Sequence, residues 1–149
     1  MKFLLFLFSA SALLSFTLSG NPTLGNLTYQ FSHLPSTKGV VRVVLYNKSD
    51  QFLSEKGWCR ADSAYVKSDG SAEVKITGLP FGNYAAALYL DENQNGVIDR
   101  NLMGVPTEAY GFSNNVRAKW NVPGFEKAAF LFQNNIQTVP GTVQYWSKQ

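Results

Sequence analysis

Tyr84–Ala85–Ala86–Ala87–Leu88–Tyr89–Leu90–Asp91–Glu92–Asn93–Gln94–Asn95–Gly96–Val97–Ile98–Asp99 is an apolar run that stops abruptly in a series of oxygen-bearing side chains. With a period of two, Tyr84, Ala86, Leu88 and Leu90 fall on one face and Ala85, Ala87 and Tyr89 on the other, so neither face is polar. Such a strand needs cover on both sides. It is expected at the centre of a sheet, with its small alanines leaving room for large neighbours.

Upstream, Leu27, Tyr29 and Phe31 alternate with Thr28, Gln30 and Ser32, the pattern of a half-buried strand. Val40–Tyr46 is β-branched and almost continuously apolar, which predicts a strand covered on both faces. Cys59 to Lys67 and Ser71 to Ile76 read as the arms of a hairpin around Ser68–Asp69–Gly70, because glycine supplies the positive φ of a tight turn. Between these strands, Gln51 to Trp58 is either a loop pinned by Phe52–Leu53 or one helical turn capped by Ser49–Asp50. Downstream, Asp91 to Pro123 has little periodicity and much Asn, Gly and Pro, and reads as a long ordered loop after the central strand. One helical turn at Pro123–Ala129 follows, then closing strands at Phe130–Phe132, Ile136–Val139 and Thr142–Tyr145, with Pro140–Gly141 as the last hairpin turn. About seven short strands at roughly ten-residue spacing predict an all-β protein, a single antiparallel β-sandwich.

The first residues belong to a different pattern. Lys2 precedes Phe3–Phe8 and a Ser/Ala/Leu-rich stretch, and small residues gather at Thr17–Gly20, as in a secretory signal peptide cleaved after Ser19. A retained anchor is disfavoured, since Ser9, Ser11, Ser15 and Thr17 interrupt a run that would need about 20 predominantly apolar residues. Residues 20–149 then form one domain, large enough to bury a core without staples. Cys59 is the only cysteine, so no intramolecular disulfide is available. The 13 basic and 10 acidic residues are scattered, which is an ordinary solvated surface rather than a nucleic-acid footprint. The expected location is secreted or periplasmic, with no stable membrane insertion after signal cleavage.

Counted from Asp91, the loop offers side-chain oxygens at Asp91, Asn93 and Asn95, glycine at Gly96, a backbone carbonyl at Val97 and a carboxylate at Asp99. Alternate inward-turning oxygens with a glycine at the bend are the ligand order of an EF-hand or dockerin-type calcium loop. Leu102 stands where the bidentate acid belongs, so Glu108 would have to fold back to replace it. With few charged ligands, calcium affinity belongs at the weak end, on the order of 10⁻⁴–10⁻³ M. The alternative is a metal-free loop in which the same Asp and Asn side chains bond to backbone groups and brace the turn.

Two stretches carry resemblances. Gly78–Leu79–Pro80–Phe81–Gly82–Asn83–Tyr84 resembles the G-L-P-x-G-x-Y turn of transthyretin-like and carboxypeptidase-regulatory-like β-sandwiches, which are immunoglobulin-like in architecture. Asp91-x-Asn93-x-Asn95-Gly96-x-x-Asp99-x-Asn101-x-x-Gly104-x-Pro106-x-Glu108-x-Tyr110-Gly111-Phe112-Ser113-Asn114 resembles the signature of exported, mainly bacterial proteins grouped as domain-of-unknown-function family 2141. The second resemblance implies an exported β-sandwich and brings no reaction with it.

Function therefore rests on the loop. In one reading the domain is a binding module, with Tyr110, Phe112, Ser113, Asn114 and Trp120 forming a polar and aromatic surface for a glycan, a peptide or an envelope protein. In a second it is a structural envelope component with a braced loop. A third, a hydrolase using Asp91, Asp99 and Glu108, needs two acids flanking a scissile bond. Ser113 has no neighbouring histidine and His33 is unaccompanied, so no nucleophile and base are paired in sequence. No catalytic residue is assigned.

Overall fold

The computed structural model describes residues 23–117 and 121–146; the stretch read as a signal peptide and Trp120 lie outside them. Among the described residues eight strands form: β1 (Leu24–Phe31), β2 (Val40–Tyr46), β3 (Arg60–Tyr65), β4 (Ala72–Pro80), β5 (Gly82–Asp91), β6 (Tyr110–Phe112), β7 (Phe130–Phe132) and β8 (Ile136–Gly141). One α-helical turn, α1 (Phe125–Ala128), precedes β7, and short 3-10 turns lie at Ser49–Gln51 and Ser113–Asn115. The strands make two packed sheets, one of three strands in the order β4-β1-β8 and one of five in which β3-β2-β5-β6 run side by side and β7 joins β5. The expected all-β sandwich is present, with one pair, β1–β8, running parallel.

β5 is the central strand. It pairs with β2 from Val40 opposite Asp91 to Tyr46 opposite Ala85, and its other edge takes β7 at Gly82–Tyr84 and β6 at Ala87–Tyr89. Its inner face, Tyr84, Ala86, Leu88 and Leu90, joins Val41, Val43 and Leu45 of β2 against Leu27, Tyr29 and Phe31 of β1 and Val74 and Ile76 of β4. Fully burying a side chain such as Leu45, Leu88 or Leu90 contributes about 1.5–3 kcal/mol, so this face holds the two sheets together. The outer face is covered too: Ala85 packs with Phe112 and Ala128, and Phe52, Ala87, Tyr110 and Phe125 lean on that cluster. Alanines at positions 85 and 87 are what allow these rings to approach. Phe52 meets Tyr46 edge-on at 5.3 Å and Phe125 at 5.8 Å.

Two local expectations change. Asp69–Gly70 does make the turn, with Gly70 N–H donating to Lys67 O and Lys67 N–H to Ser71 O. The arms then part, β3 joining the five-stranded sheet and β4 the three-stranded one, so the turn links the sheets and is not a hairpin. Pro140–Gly141 is no turn at all, because β8 runs straight through it beside β1. Pro140 lies on an edge strand, where its missing N–H is tolerated. A Cβ on Gly141 would sit 2.3 Å from the Phe31 ring, so glycine is required there for close approach. The Thr142–Tyr145 segment makes only an isolated bridge, Gln144 to Tyr110.

The start of β2 abuts the end of β5. Gly39 has φ +100°, and a Cβ there would lie 2.6 Å from the Asp91 carbonyl oxygen. The loop that leaves β5 at Asp91 thus begins from a tightly fixed point.

Candidate functional site

Asp91 is the last residue of β5, fully buried on the outer face of the five-stranded sheet. Arg42 of β2 lies diagonally across the pair and donates from Nε to Asp91 Oδ2 at 2.7 Å. Two backbone groups complete the carboxylate's partners: Asn95 N–H donates to Oδ1 at 3.1 Å and Gly96 N–H to Oδ2 at 2.9 Å. These bonds bend the chain back over its own strand. Gln94 and Gly96 take positive φ of 61° and 87°, which Gly96 accommodates without strain.

The rest of the loop continues in the same way. Asn93 Oδ1 accepts from Asn95 N–H and Asn95 Oδ1 from Val97 N–H, at 3.1 and 3.0 Å. With both amide oxygens so engaged, the NH₂ groups of Asn93 and Asn95 turn to Asp99, donating to its two carboxylate oxygens at 2.6 and 3.0 Å. Glu108, 5% exposed, lies against the loop. Its oxygens accept from Glu92 N–H at 2.9 Å and Asp99 N–H at 3.0 Å, so it clamps the two ends of the loop together. Val97 lies on the exposed side. Asp91, Asn93, Asn95, Asp99 and Glu108 are thereby gathered in one structure, and each of their side-chain oxygens described above meets an N–H donor. Among the described residues no group of three or more His, Cys, Asp or Glu side chains is placed to hold a metal ion.

This braced loop forms one wall of a cleft. The cleft encloses about 530 Å³ on the outer face of the five-stranded sheet. Its floor is Val44, Ala87, Tyr89, Tyr110 and Phe112; the loop contributes Ile98, Arg100, Met103, Val105 and Pro106; Leu53 and Trp146 stand on other sides. The wall is rigid in its own right. Asn101 Oδ1 accepts from Met103 and Val105 N–H, Arg100 Nη1 donates to Gly104 O, and Arg100 bridges to Pro106. Tyr89, on the floor, donates its hydroxyl to Gly96 O at 3.0 Å and so ties floor to loop. Burial pushes the hydroxyls of Tyr89 and Tyr110 above their ordinary range, and both stay protonated near neutrality.

Of the residues expected on a ligand surface, Tyr110 and Phe112 line this cleft. Ser113 and Asn114 have a bracing position instead. Ser113 Oγ accepts from Ala86 N–H at 2.8 Å and donates to Ala128 O, and Asn114 Nδ2 donates to Ala129 O at 2.8 Å, fastening α1 to β5. Arg42, Arg100 and Trp146 were not singled out by sequence. For Arg42 a signal existed, since a lone arginine inside the apolar run Val40–Tyr46 calls for a buried partner. His33 sits exposed at the end of β1 with φ 55°. Cys59 is exposed; its thiol donates to Leu45 O at 3.3 Å, and partial burial pushes its pKa up, away from a reactive thiolate. No helix among the described residues is long and apolar enough to cross a membrane.

Residues 30–140 match the model of the family described as "Uncharacterized protein conserved in bacteria (DUF2141)", and the chain belongs to that family. The match spans β2 to β7, the braced loop and the cleft-lining residues from Val44 to Val122, and Trp146 lies beyond it. No curated protein and no solved structure gives a significant match.

Proposed function

We propose that this family member is an exported, non-enzymatic binding module whose ligand occupies the cleft between the braced loop and the outer sheet face. The observation that carries the reading is the cleft: at about 530 Å³, with an apolar floor and a few polar groups, it has the size and lining of a small-molecule site. The loop's role in this reading is to hold Ile98–Pro106 in place as a preformed wall. Ser113, with its hydroxyl engaged by backbone groups, and Cys59, with its thiol held protonated, support binding rather than covalent catalysis. Export is supported by the n-region, h-region and small-residue pattern of residues 1–19. Of the glycan, peptide and envelope-protein partners expected from sequence, a half-open cleft of this size favours the end of a peptide over a flat protein surface, and it also admits a small molecule.

An uncharged apolar fluorophore, N-phenyl-1-naphthylamine, tests this with the mature chain. Saturable one-to-one binding is expected, lost in Ala87→Phe, which would place a ring on the cleft floor, and in Val105→Trp, which would fill it from the wall. Binding that neither variant reduces, with melting preserved, contradicts the reading.

A second reading is cation binding by the loop, favoured by the alternating oxygens of Asp91, Asn93, Asn95 and Asp99 around Gly96. Calcium would have to draw the Asn93 and Asn95 oxygens off their N–H donors. A rise in melting midpoint with millimolar calcium after chelator treatment supports it, since a ligand of the native state must stabilise; an unchanged midpoint removes it.

A further inference from the structure

We infer that the cleft selects an anionic amphiphile: a molecule with an apolar body lying along Val44, Ala87 and Phe112 and an acidic head met by Arg100. This rests on the binding reading above and specifies its ligand class. Arg100 is the one charged residue among the described residues that line the cleft, and no carboxylate lines it. The nearby acids of the loop face other ways. Asp91 is paired with Arg42 and backbone N–H groups, Asp99 with the Asn93 and Asn95 amides, and Glu108 with two backbone N–H groups.

The Arg100 head is positioned by the loop. One Nη1 donor is used on Gly104 O at 3.0 Å and the backbone is bridged to Pro106, while a guanidinium carries five N–H donors in a planar fork suited to carboxylate or phosphate oxygens. Tyr110 shares the cleft. Its hydroxyl, raised by burial and opposed more weakly by the Arg100 charge, remains a donor, so an acid group would meet a guanidinium and a phenol together. The rest of the wall argues against other ligands. Ile98, Met103, Val105 and Pro106 give a sugar's hydroxyls few hydrogen-bond partners, and Arg100 repels a cation. At the mouth, Met103 is 82% and Val122 61% exposed, and Leu102, next to Met103 in the chain, is fully exposed, so these apolar side chains would extend contact with a chain longer than the cleft.

The test displaces N-phenyl-1-naphthylamine from the mature protein with four ten-carbon competitors below their micelle concentrations: decanoate, decyl phosphate, decanol and decylammonium. Charge-assisted hydrogen bonds to the head predict that both anions compete at concentrations about ten-fold or more below decanol, with decylammonium weakest. Arg100→Gln should bring decanoate to the level of decanol measured on the same variant, and Arg100→Lys should retain part of the preference. Equal competition by decanoate and decanol, or a preference that survives Arg100→Gln, overturns the anionic ligand and leaves the cleft reading standing. Absence of saturable probe binding to the wild type overturns both. Sedimentation with phosphatidylglycerol vesicles, combined with no competition by free decanoate, would assign the apolar rim to a membrane surface and also overturn the inference.

Discussion

The Nε of Arg42 lies 2.7 Å from Oδ2 of Asp91, joining β2 to the last residue of β5 at a carboxylate that is completely buried while the guanidinium is 30% exposed. The loop that follows is built on this pair, because the same carboxylate receives Asn95 and Gly96 N–H. Removing one partner of a buried pair is costly, since the other is left without compensation. Arg42→Ala should therefore destabilise the domain by about 3–5 kcal/mol, read from urea unfolding of the mature chain. A change below about 1 kcal/mol would mean that the backbone N–H groups alone suffice for Asp91.

Glu108 acts through both of its oxygens, on Glu92 N–H and Asp99 N–H. Glu108→Gln keeps one acceptor and sets an NH₂ against the other N–H. The expected loss is about 1–3 kcal/mol, with faster amide hydrogen exchange at Glu92 or Asp99 and little change in β1 or β4. Uniformly faster exchange across the sandwich would instead show that Glu108 supports the whole fold.

Ser113 is buried between Ala86 N–H and Ala128 O. Ser113→Ala leaves both without that partner, and should cost about 1–3 kcal/mol in thermal or urea unfolding. A catalytic or ligand-contacting serine on an open surface would show a far smaller loss.

Much of this was legible beforehand, and the limits have identifiable causes. The two-faced run of β5 announces a central strand, and the spacing from Asp91 to Asp99 announces an inward-turning loop. Alternation says which residues face a core and not which sheet a strand joins, so the Asp69–Gly70 signal predicts a hairpin although β3 and β4 part company there. Glycine and proline predict a turn at Pro140–Gly141, where an edge strand and the crowding of Phe31 explain them instead. The cleft itself draws on Val44, Ala87, Arg100, Phe112 and Trp146, residues distant in sequence, and only the pairing of β2, β5 and β6 sets them side by side.

Tyr145 donates its hydroxyl to a Glu92 carboxylate oxygen. That hydrogen bond, aided by burial and by the Glu92 and Glu108 charges, raises the phenol to about 12. The protonated form is the one favoured by folding. Its contribution to stability is present in full below the ordinary tyrosine value of about 10 and is lost as pH rises through the folded value. The difference in 295 nm absorbance between wild type and Tyr145→Phe should show its step near 12; a step near 10 would contradict the contact.

The claim on which the account turns is that the loop wall and the outer sheet face enclose a ligand site. Its most direct test is amide chemical-shift mapping of the isotopically labelled mature chain during titration with decanoate. Shifts concentrated at Val44, Ala87, Arg100, Val105 and Phe112, saturating together with one dissociation constant, are predicted; shifts that are absent, or that scatter over the three-stranded sheet without saturating, would contradict it.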